Sequence, residues 1–306
     1  MLKLNKKKLI VIIGPTASGK TDLAINLASE IKSEIISADS RQFYKELNIG
    51  TAKPSKYELS TINHHFINNL SITDDYSAGK YKEEVEEFLE EYFRSNDIAI
   101  LVGGSGLFID VIVKGIDNVP KVPKEFREEL NNSLKINGLT SLANKLKQVD
   151  PESHKNIDLN NPHRVIRALE VSLYTKKPYS SYHKQNNDLR KDIDLYFIGY
   201  NLSKEILYNR INTRVDLMIE NGLVDEVKRL RDYKKLNALN TVGYKELFNF
   251  LNGDLNLDEA IELIKSNTRK YSKRQMTWFK KYNDVKWYDE KINNNQIINK
   301  TKKLII

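Results

Sequence analysis

The chain has 306 residues, 40% of them hydrophobic, which is enough for one large domain or two smaller ones. It contains no cysteine, and this excludes disulfides, thiolate zinc sites and a cysteine nucleophile. The formal net charge is +8, and residues 264–286 hold eight Lys or Arg against one acid. Positive charge gathered on particular segments indicates a polyanionic partner, although a generally lysine-rich composition accounts for the same total.

No segment has the pattern of a leader or a membrane span. Residues 1–8 are too polar for a signal peptide, and the apolar run 9–13 is too short to cross a bilayer. We therefore expect a soluble, cytoplasmic protein with no membrane partner.

Four short apolar runs predict buried strands at residues 9–13, 34–38, 98–102 and 195–200. Helical patterns follow at 21–32, 80–94, 203–220 and 258–282. Strands that alternate with helices predict an α/β fold with a doubly wound parallel sheet.

The alternation stops between residues 120 and 192, where five prolines separate helical patterns. The sequence therefore predicts an inserted helical domain at 120–192, and a sheet-containing core made of 1–119 and 193–306. The Asn- and Lys-rich end after Asp289 is predicted to be a loose tail.

The first predicted strand leads into a glycine-rich loop of the Gly-x4-Gly-Lys-Thr type, Gly14, Pro15, Thr16, Ala17, Ser18, Gly19, Lys20 and Thr21. In this pattern the backbone amides and the following helix N-terminus bind phosphate oxygens. Lys20 supplies a positive charge, and the Thr21 hydroxyl is a ligand for Mg²⁺. The motif predicts phosphate binding, but it does not identify the bond that is broken.

Asp39 follows the second predicted strand, and ligands of open α/β sheets lie at the carboxyl ends of strands. Its carboxylate is a candidate general base or metal ligand, with a helix N-cap as the structural alternative. Asp110 is interpreted as a structural residue near a helix start. The adjacent His64 and His65 are predicted to pack near a sheet edge.

Two segments are rich in cations. Arg164 and Arg167 share one face of a helix predicted to begin at Asn161 and Pro162, and this face either binds phosphates and bases or is simply solvated. In the C-terminal helix, one face carries Tyr271, Gln275, Trp278 and Tyr282. Cations surround that face, which suits an acidic partner, and some of them could instead face the phosphate site: Arg269, Lys270, Lys273, Arg274, Lys280 and Lys281.

Together these motifs resemble the tRNA dimethylallyltransferase family. The matching segments run in the family's order, at 14–21, 39–42, 49–54, 76–78, 101–107, 164–171, 242–246 and 273–279. The chain departs from the family pattern at Ser105, Asn161, His163 and Asn267, and the stretch 64–68 lacks an Asp.

The resemblance implies a P-loop NTPase-like fold whose inserted helical domain grips the anticodon stem-loop of tRNA. It implies transfer of a dimethylallyl group from dimethylallyl diphosphate to the exocyclic amine of the adenine just 3′ of the anticodon. Asp39 would act as the base, Thr21 would hold Mg²⁺, and Arg214 would add a cation at the leaving diphosphate. We expect the enzyme to be a monomer.

By the same resemblance, a further set of residues aligns with positions that contact tRNA: Asp39, Ser40, Arg41, Gln42, Ser105, Arg127, His163, Arg164, Val165, Ile166, Arg167, Thr241, Val242, Gly243, Tyr244 and Lys245. Three alternatives remain open. They are an adenylate isopentenyltransferase, a small-molecule P-loop kinase, and an RNA-binding protein with a vestigial phosphate loop.

Overall fold

The computed structural model describes residues 6–117, 119–182 and 192–305. These residues contain a six-stranded sheet in the order β3-β2-β4-β1-β5-β6, and all neighbouring strands are parallel. The strands are β1 (Lys7–Ile13), β2 (Ile35–Ser37), β3 (His64–His65), β4 (Ile98–Gly103), β5 (Ile193–Tyr200) and β6 (Lys286–Tyr288). The predicted parallel α/β sheet is confirmed, and His64 and His65 form its edge strand.

Helices cover both faces of this sheet. The described residues form α1 (Lys20–Ile31), α2 (Lys56–Thr61), α3 (Ala78–Ser95), α4 (Gly106–Val113), α5 (Lys124–Val149), α6 (Pro151–Asn156), α7 (Pro162–Thr175), α8 (Lys204–Glu220), α9 (Leu223–Arg229), α10 (Tyr244–Asn252), α11 (Leu257–Phe279) and α12 (Asn294–Ile305). The predicted elements are found within a few residues of their expected bounds.

The central strand β1 shows why the sheet is covered on both sides. Leu9, Val11 and Ile13 point into one apolar core, while Ile10 and Ile12 point into the other. All five side chains are fully buried. A strand buried on both faces has apolar residues at successive positions, which is the pattern that identified it.

The C-terminal end is ordered, so the prediction of a loose tail after Asp289 is wrong. Residues 294–305 form α12, and Ile297, Ile298 and Ile305 are buried in the same core as Leu23 and Leu27 of α1. The isoleucines lie on one face of the helix because they recur at helical spacing. Composition obscured this pattern, because Asn and Lys fill the exposed positions between them.

The chain divides into two compact units, Met1–Val113 with Arg190–Ile306, and Lys114–Leu189. The predicted helical insertion overlaps the second unit, although its residues 183–191 lie outside the described residues. Within this unit α5 and α7 pack around a separate core that includes Leu142, Leu146 and Leu169. Helix α5 is kinked at Gly138, where φ is 76°.

We expect Ile297→Ala to lower the free energy of unfolding by about 2–5 kcal/mol, because it removes a fully buried side chain between α12 and α1. Leu304→Ala is the control on the same helix, since Leu304 is 40% exposed, and its effect should be much smaller. Urea unfolding followed by tryptophan fluorescence measures both, because Trp278 and Trp287 lie in the first unit. Equal losses would mean that α12 contributes little to the core.

Candidate active site

The loop between β1 and α1 has the backbone conformation of an anion-binding loop. Ala17 and Gly19 adopt left-handed conformations, with φ of 62° and 96°. Gly19 is the N-cap residue of α1, and it has no side chain that could bond to the first amides of the helix. These amides and the helix dipole are therefore available to an anion.

Two side chains of the same loop fit a phosphate ligand. The Ser18 hydroxyl is buried and has no hydrogen-bond partner among the described residues. The Lys20 ammonium donates to the Pro15 carbonyl at 2.6 Å. The pKa of Lys20 is lowered to about 7, chiefly by burial and also by the charge of Arg214, while Asp39 partly opposes both effects. A bound anion would provide the opposite charge that this lysine lacks.

Asp39 lies two residues after the end of β2, at the edge of the sheet where the phosphate loop follows β1. Its carboxylate accepts the backbone amide of Arg41 at 3.0 Å. This bond stabilises a turn, and the next α-helix begins only at Lys56. The alternative of a helix N-cap is therefore wrong, and the second carboxylate oxygen is left for other chemistry.

Two cavities meet at Asp39. The smaller has a volume of about 100 Å³ and is lined by Lys20, Thr21 and Gln42 among others. The larger has a volume of about 490 Å³. Six residues line both cavities: Thr16, Asp39, Thr51, Ala52, Arg214 and Tyr271. The two cavities therefore adjoin one another along these shared residues.

Helix α8 brings two arginines to the phosphate loop. Arg214 lines both cavities, and burial lowers its pKa. Arg210, one turn earlier, donates to the Ser18 carbonyl at 3.3 Å. Arg214 was predicted from the sequence and Arg210 was not, although the four-residue spacing places both on one face of a helix.

Helix α11 holds two loops of the site together through Gln275. This buried side chain accepts the Thr16 amide at 2.9 Å and donates to the Gly104 carbonyl at 2.8 Å. A Cβ at Gly104 would lie 2.5 Å from the Gln275 amide nitrogen, and one at Gly106 would lie 2.5 Å from the Trp278 ring. The glycines therefore permit the close approach of α11.

The predicted packing face holds for Gln275 and Trp278 on α11 and for Tyr282 just after the helix, whereas Tyr271 is 36% exposed and belongs to the site. Trp278 and Tyr282 both donate to Asp110, which confirms the structural role of that carboxylate. Tyr271 lines both cavities, with Arg274 over its ring. Burial and the nearby Asp39 raise the pKa of Tyr271 to about 12, so its hydroxyl stays protonated at neutral pH.

The structure brings together most of the predicted tRNA-contacting residues of the first unit. Ser105 accepts the Ser40 amide at 3.0 Å, and Gln42 lines the smaller cavity. Seven residues line the larger cavity: Asp39, Ser40, Arg41, Thr241, Val242, Gly243 and Lys245. The prediction that Tyr244 contacts tRNA is wrong. Its side chain is fully buried and its hydroxyl donates to Glu226, so it cannot contact RNA directly.

In the second unit, the predicted tRNA-contacting residues fall into three groups. Asn161 caps α7 as expected, accepting the amides of His163 and Arg164, whose side chains are exposed. Arg127 and Arg167 instead bond to the buried carboxylate of Glu170, a partner that the sequence analysis missed: Arg127 Nε to Oε2 at 2.7 Å, and Arg167 to Oε1 at 2.7 Å.

Val165 and Ile166 require a correction. Both side chains are buried in the core of the second unit, at 0% and 4% exposure. They lie on the inner face of α7, so their side chains are not available to RNA. Only the outer face of the helix start can present groups to a partner.

In the described parts of the chain, no helix is both long and apolar enough to cross a membrane.

Comparison with known proteins places this arrangement in context. A family model described as IPP transferase matches residues 42–282. A tRNA dimethylallyltransferase of Christiangramia forsetii is 50% identical over 281 residues, covering 92% of this chain and 93% of the relative. One of Flavobacterium johnsoniae is 47% identical over 300 residues, covering 95% and 96%. The solved structure of a tRNA isopentenylpyrophosphate transferase from Bacillus halodurans has a TM-score of 0.71 at 34% identity, covering 98% of this chain and 96% of that chain.

We expect inorganic diphosphate to bind with proton uptake at pH 8. Lys20 is largely neutral there, since its pKa is about 7, and a bound anion raises that pKa. The affinity should fall as pH rises above 7, by up to about tenfold per unit. Calorimetric titrations in two buffers of different ionisation enthalpy measure the uptake.

Lys20→Arg is the matched control, because arginine stays charged at every pH used. It should show only the proton uptake that comes from the diphosphate itself. Equal uptake by the wild type and the variant would contradict a neutral Lys20.

Proposed function

The chain belongs to the IPP transferase family, and we propose that it transfers a dimethylallyl group from dimethylallyl diphosphate to N6 of the adenine 3′-adjacent to the anticodon in tRNA. The observation that carries the proposal is the junction at Asp39. There a phosphate-loop cavity adjoins a cavity of about 490 Å³, and both share a carboxylate and the cation Arg214. A diphosphate donor suits the first cavity, and an adenine extruded from the anticodon loop suits the second.

In the proposed reaction the C1–O bond of the donor breaks, and a bond forms between C1 and N6 of the adenine. The electron pair of the broken bond leaves with the diphosphate. The loop amides, Lys20 and Arg214 stabilise the charge that develops there. The proton lost from N6 goes to Asp39, whose carboxylate faces both cavities.

We propose Mg²⁺ as the cofactor, held by the Thr21 hydroxyl and by oxygens of the donor. Among the described residues, no group of three or more His, Asp or Glu side chains could hold a metal. Magnesium bound to phosphates commonly takes few protein ligands, so this donor set fits. When bound, the ion neutralises charge on the leaving diphosphate.

The remaining features of the proposal follow from the substrate. The second unit, with the exposed start of α7, would bind the anticodon stem-loop. We propose a monomer as the active form. A tRNA substrate supports a cytoplasmic location.

The test uses purified protein, Mg²⁺, dimethylallyl diphosphate and unmodified tRNA. We expect prenylated adenosine in digested tRNA and one free diphosphate per modified base. Parallel reactions supply AMP as the acceptor, or ATP with candidate small metabolites. Prenylation of AMP alone would indicate an adenylate isopentenyltransferase, and phosphoryl transfer without prenylation would indicate a kinase.

We expect Asp39→Asn to slow single-turnover prenylation by roughly 10²- to 10⁴-fold, the usual effect of removing a positioned base. The amide oxygen can still accept the Arg41 amide, so the turn should persist and both substrates should bind within a few-fold. The rate is measured at several Mg²⁺ concentrations. Near-normal turnover would remove Asp39 from the mechanism, and recovery at high Mg²⁺ would reassign it to the metal.

We expect Arg164→Ala to weaken tRNA binding and to reduce the slope of log affinity against log salt by about 1, because one phosphate contact is lost. Arg167→Ala should change the slope less, since Arg167 already bonds to Glu170. Filter binding over a salt series measures both. Arg94→Ala, on the exposed end of α3, is the control, and a slope equal to that control would mean that Arg164 is merely solvated.

A further inference from the structure

The carboxylate of Glu226 is buried below the site and is not used in the reaction proposed above. Its side chain, on α9, is 3% exposed. It accepts three successive backbone amides, from Asn48 at 3.2 Å, Ile49 at 2.9 Å and Gly50 at 3.1 Å. The Tyr244 hydroxyl is a fourth donor, at 2.6 Å. A buried carboxylate with four donors holds each of them strongly, because the interior offers no water to replace it.

The backbone segment whose amides bond to Glu226 continues into residues that line both cavities. The turn Ile49–Thr51 is followed by Ala52, and both Thr51 and Ala52 line each cavity. Ala52 adopts a left-handed conformation with φ of 47°, which a residue with a Cβ seldom occupies. Such a conformation persists only where the surroundings impose it.

The turn is held from its other side as well. The Gln42 side-chain amide donates to the carbonyls of Thr51 at 3.2 Å and Ala52 at 3.3 Å. Glu226 therefore binds the amides of the turn, while Gln42 binds the carbonyls that follow. Because Gln42 is three residues from Asp39, the second contact ties the cavity wall to the segment that carries the proposed base.

Tyr244 connects the same carboxylate to the opposite wall of the larger cavity. Its ring packs so closely on the turn that a Cβ at Gly50 would lie 2.6 Å from the ring. The preceding residues Thr241, Val242 and Gly243 line that cavity. One buried carboxylate thus bonds to two segments that are distant in sequence and that lead into two walls of the larger cavity.

We propose that Glu226 is a positioning residue for prenyl transfer. It acts through the turn Ile49–Thr51 and through Tyr244, and it fixes the shape of the chamber in which the acceptor adenine meets Asp39. This inference rests on the proposed function. It assigns Glu226 no contact with substrate and no part in proton transfer.

The test is Glu226→Gln, which keeps the shape of the side chain but removes its charge and places an amide NH₂ among donors. We expect the single-turnover rate at saturating tRNA and donor to fall about 10- to 100-fold, because a misplacement of about 1 Å can reduce a rate by that much. Donor affinity should fall less than the rate does, by about threefold at most. Thr51 and Ala52 also line the cavity proposed for the donor, but among the described residues the hydrogen-bond partners of Glu226 do not include the phosphate loop, Lys20 or Arg214, which bind the diphosphate. Circular dichroism and thermal melting define the temperature at which the variant is fully folded.

Gly50→Ala perturbs the same turn by a different route, because its new methyl group would meet the Tyr244 ring while Glu226 remains. It should show the same pattern, with a slower chemical step and nearly normal donor affinity. Glu34→Gln is the matched control. Glu34 also accepts several hydrogen bonds, including one from Asn63 at 2.8 Å, but it lies at the end of β2 away from Asp39. Its rate should be that of the wild type.

The outcomes separate the inference from the proposed function. If wild-type protein does not prenylate tRNA, the proposed function fails. If the wild type is active and folded Glu226→Gln reacts at the same rate, the positioning role is overturned. A loss of donor and tRNA binding in proportion to the rate would also overturn it, because that pattern indicates general unfolding.

Discussion

Lys20 and Arg214 share a cavity with a single carboxylate, that of Asp39. The pKa of Lys20 falls to about 7 mainly because the ammonium is buried, and the neighbouring charge of Arg214 lowers it as well, while Asp39 opposes both effects. The arrangement favours an incoming anion over water, and it places the Asp39 carboxylate in the same cavity as the cations Lys20 and Arg214. The loop amides and the arginines of α8 serve the same purpose, which is to bind an anion at this position.

Local patterns in the sequence were sufficient to predict much of the fold. The apolar run from Leu9 to Ile13 identified a strand buried on both faces, and the glycine-rich loop after it identified the phosphate site. Asp39 was predicted because parallel strands end at one edge of a sheet. These features depend on the chemistry of neighbouring residues in the chain, so the sequence displays them directly.

Other features depend on partners that are far apart in sequence. Gln275 was assigned to a packing face, but nothing near it indicates that it bridges Thr16 and Gly104. The pairing of Arg127 with Glu170 was missed for the same reason, since α5 must fold back on α7 to bring Arg127 there. Arg167 lies only three residues from Glu170, so that pair was visible in the local helical spacing. Composition also misled at the C-terminal end, where Asn and Lys concealed the apolar face of α12.

The location of α12 has a consequence for how the protein is made. The first helix after the phosphate loop, α1, buries its apolar face against residues 297–305, and β1 pairs with a strand that begins at Ile193. The strand pairing cannot form until residues 193–200 have left the ribosome, and the contact between α1 and α12 must wait for residues 294–305. The second unit is a continuous segment, 114–189, so its core is complete before β5 is made and long before α12 is made. During synthesis, therefore, the helical unit can fold first, and the core beside the phosphate loop is complete only after α12 has been made.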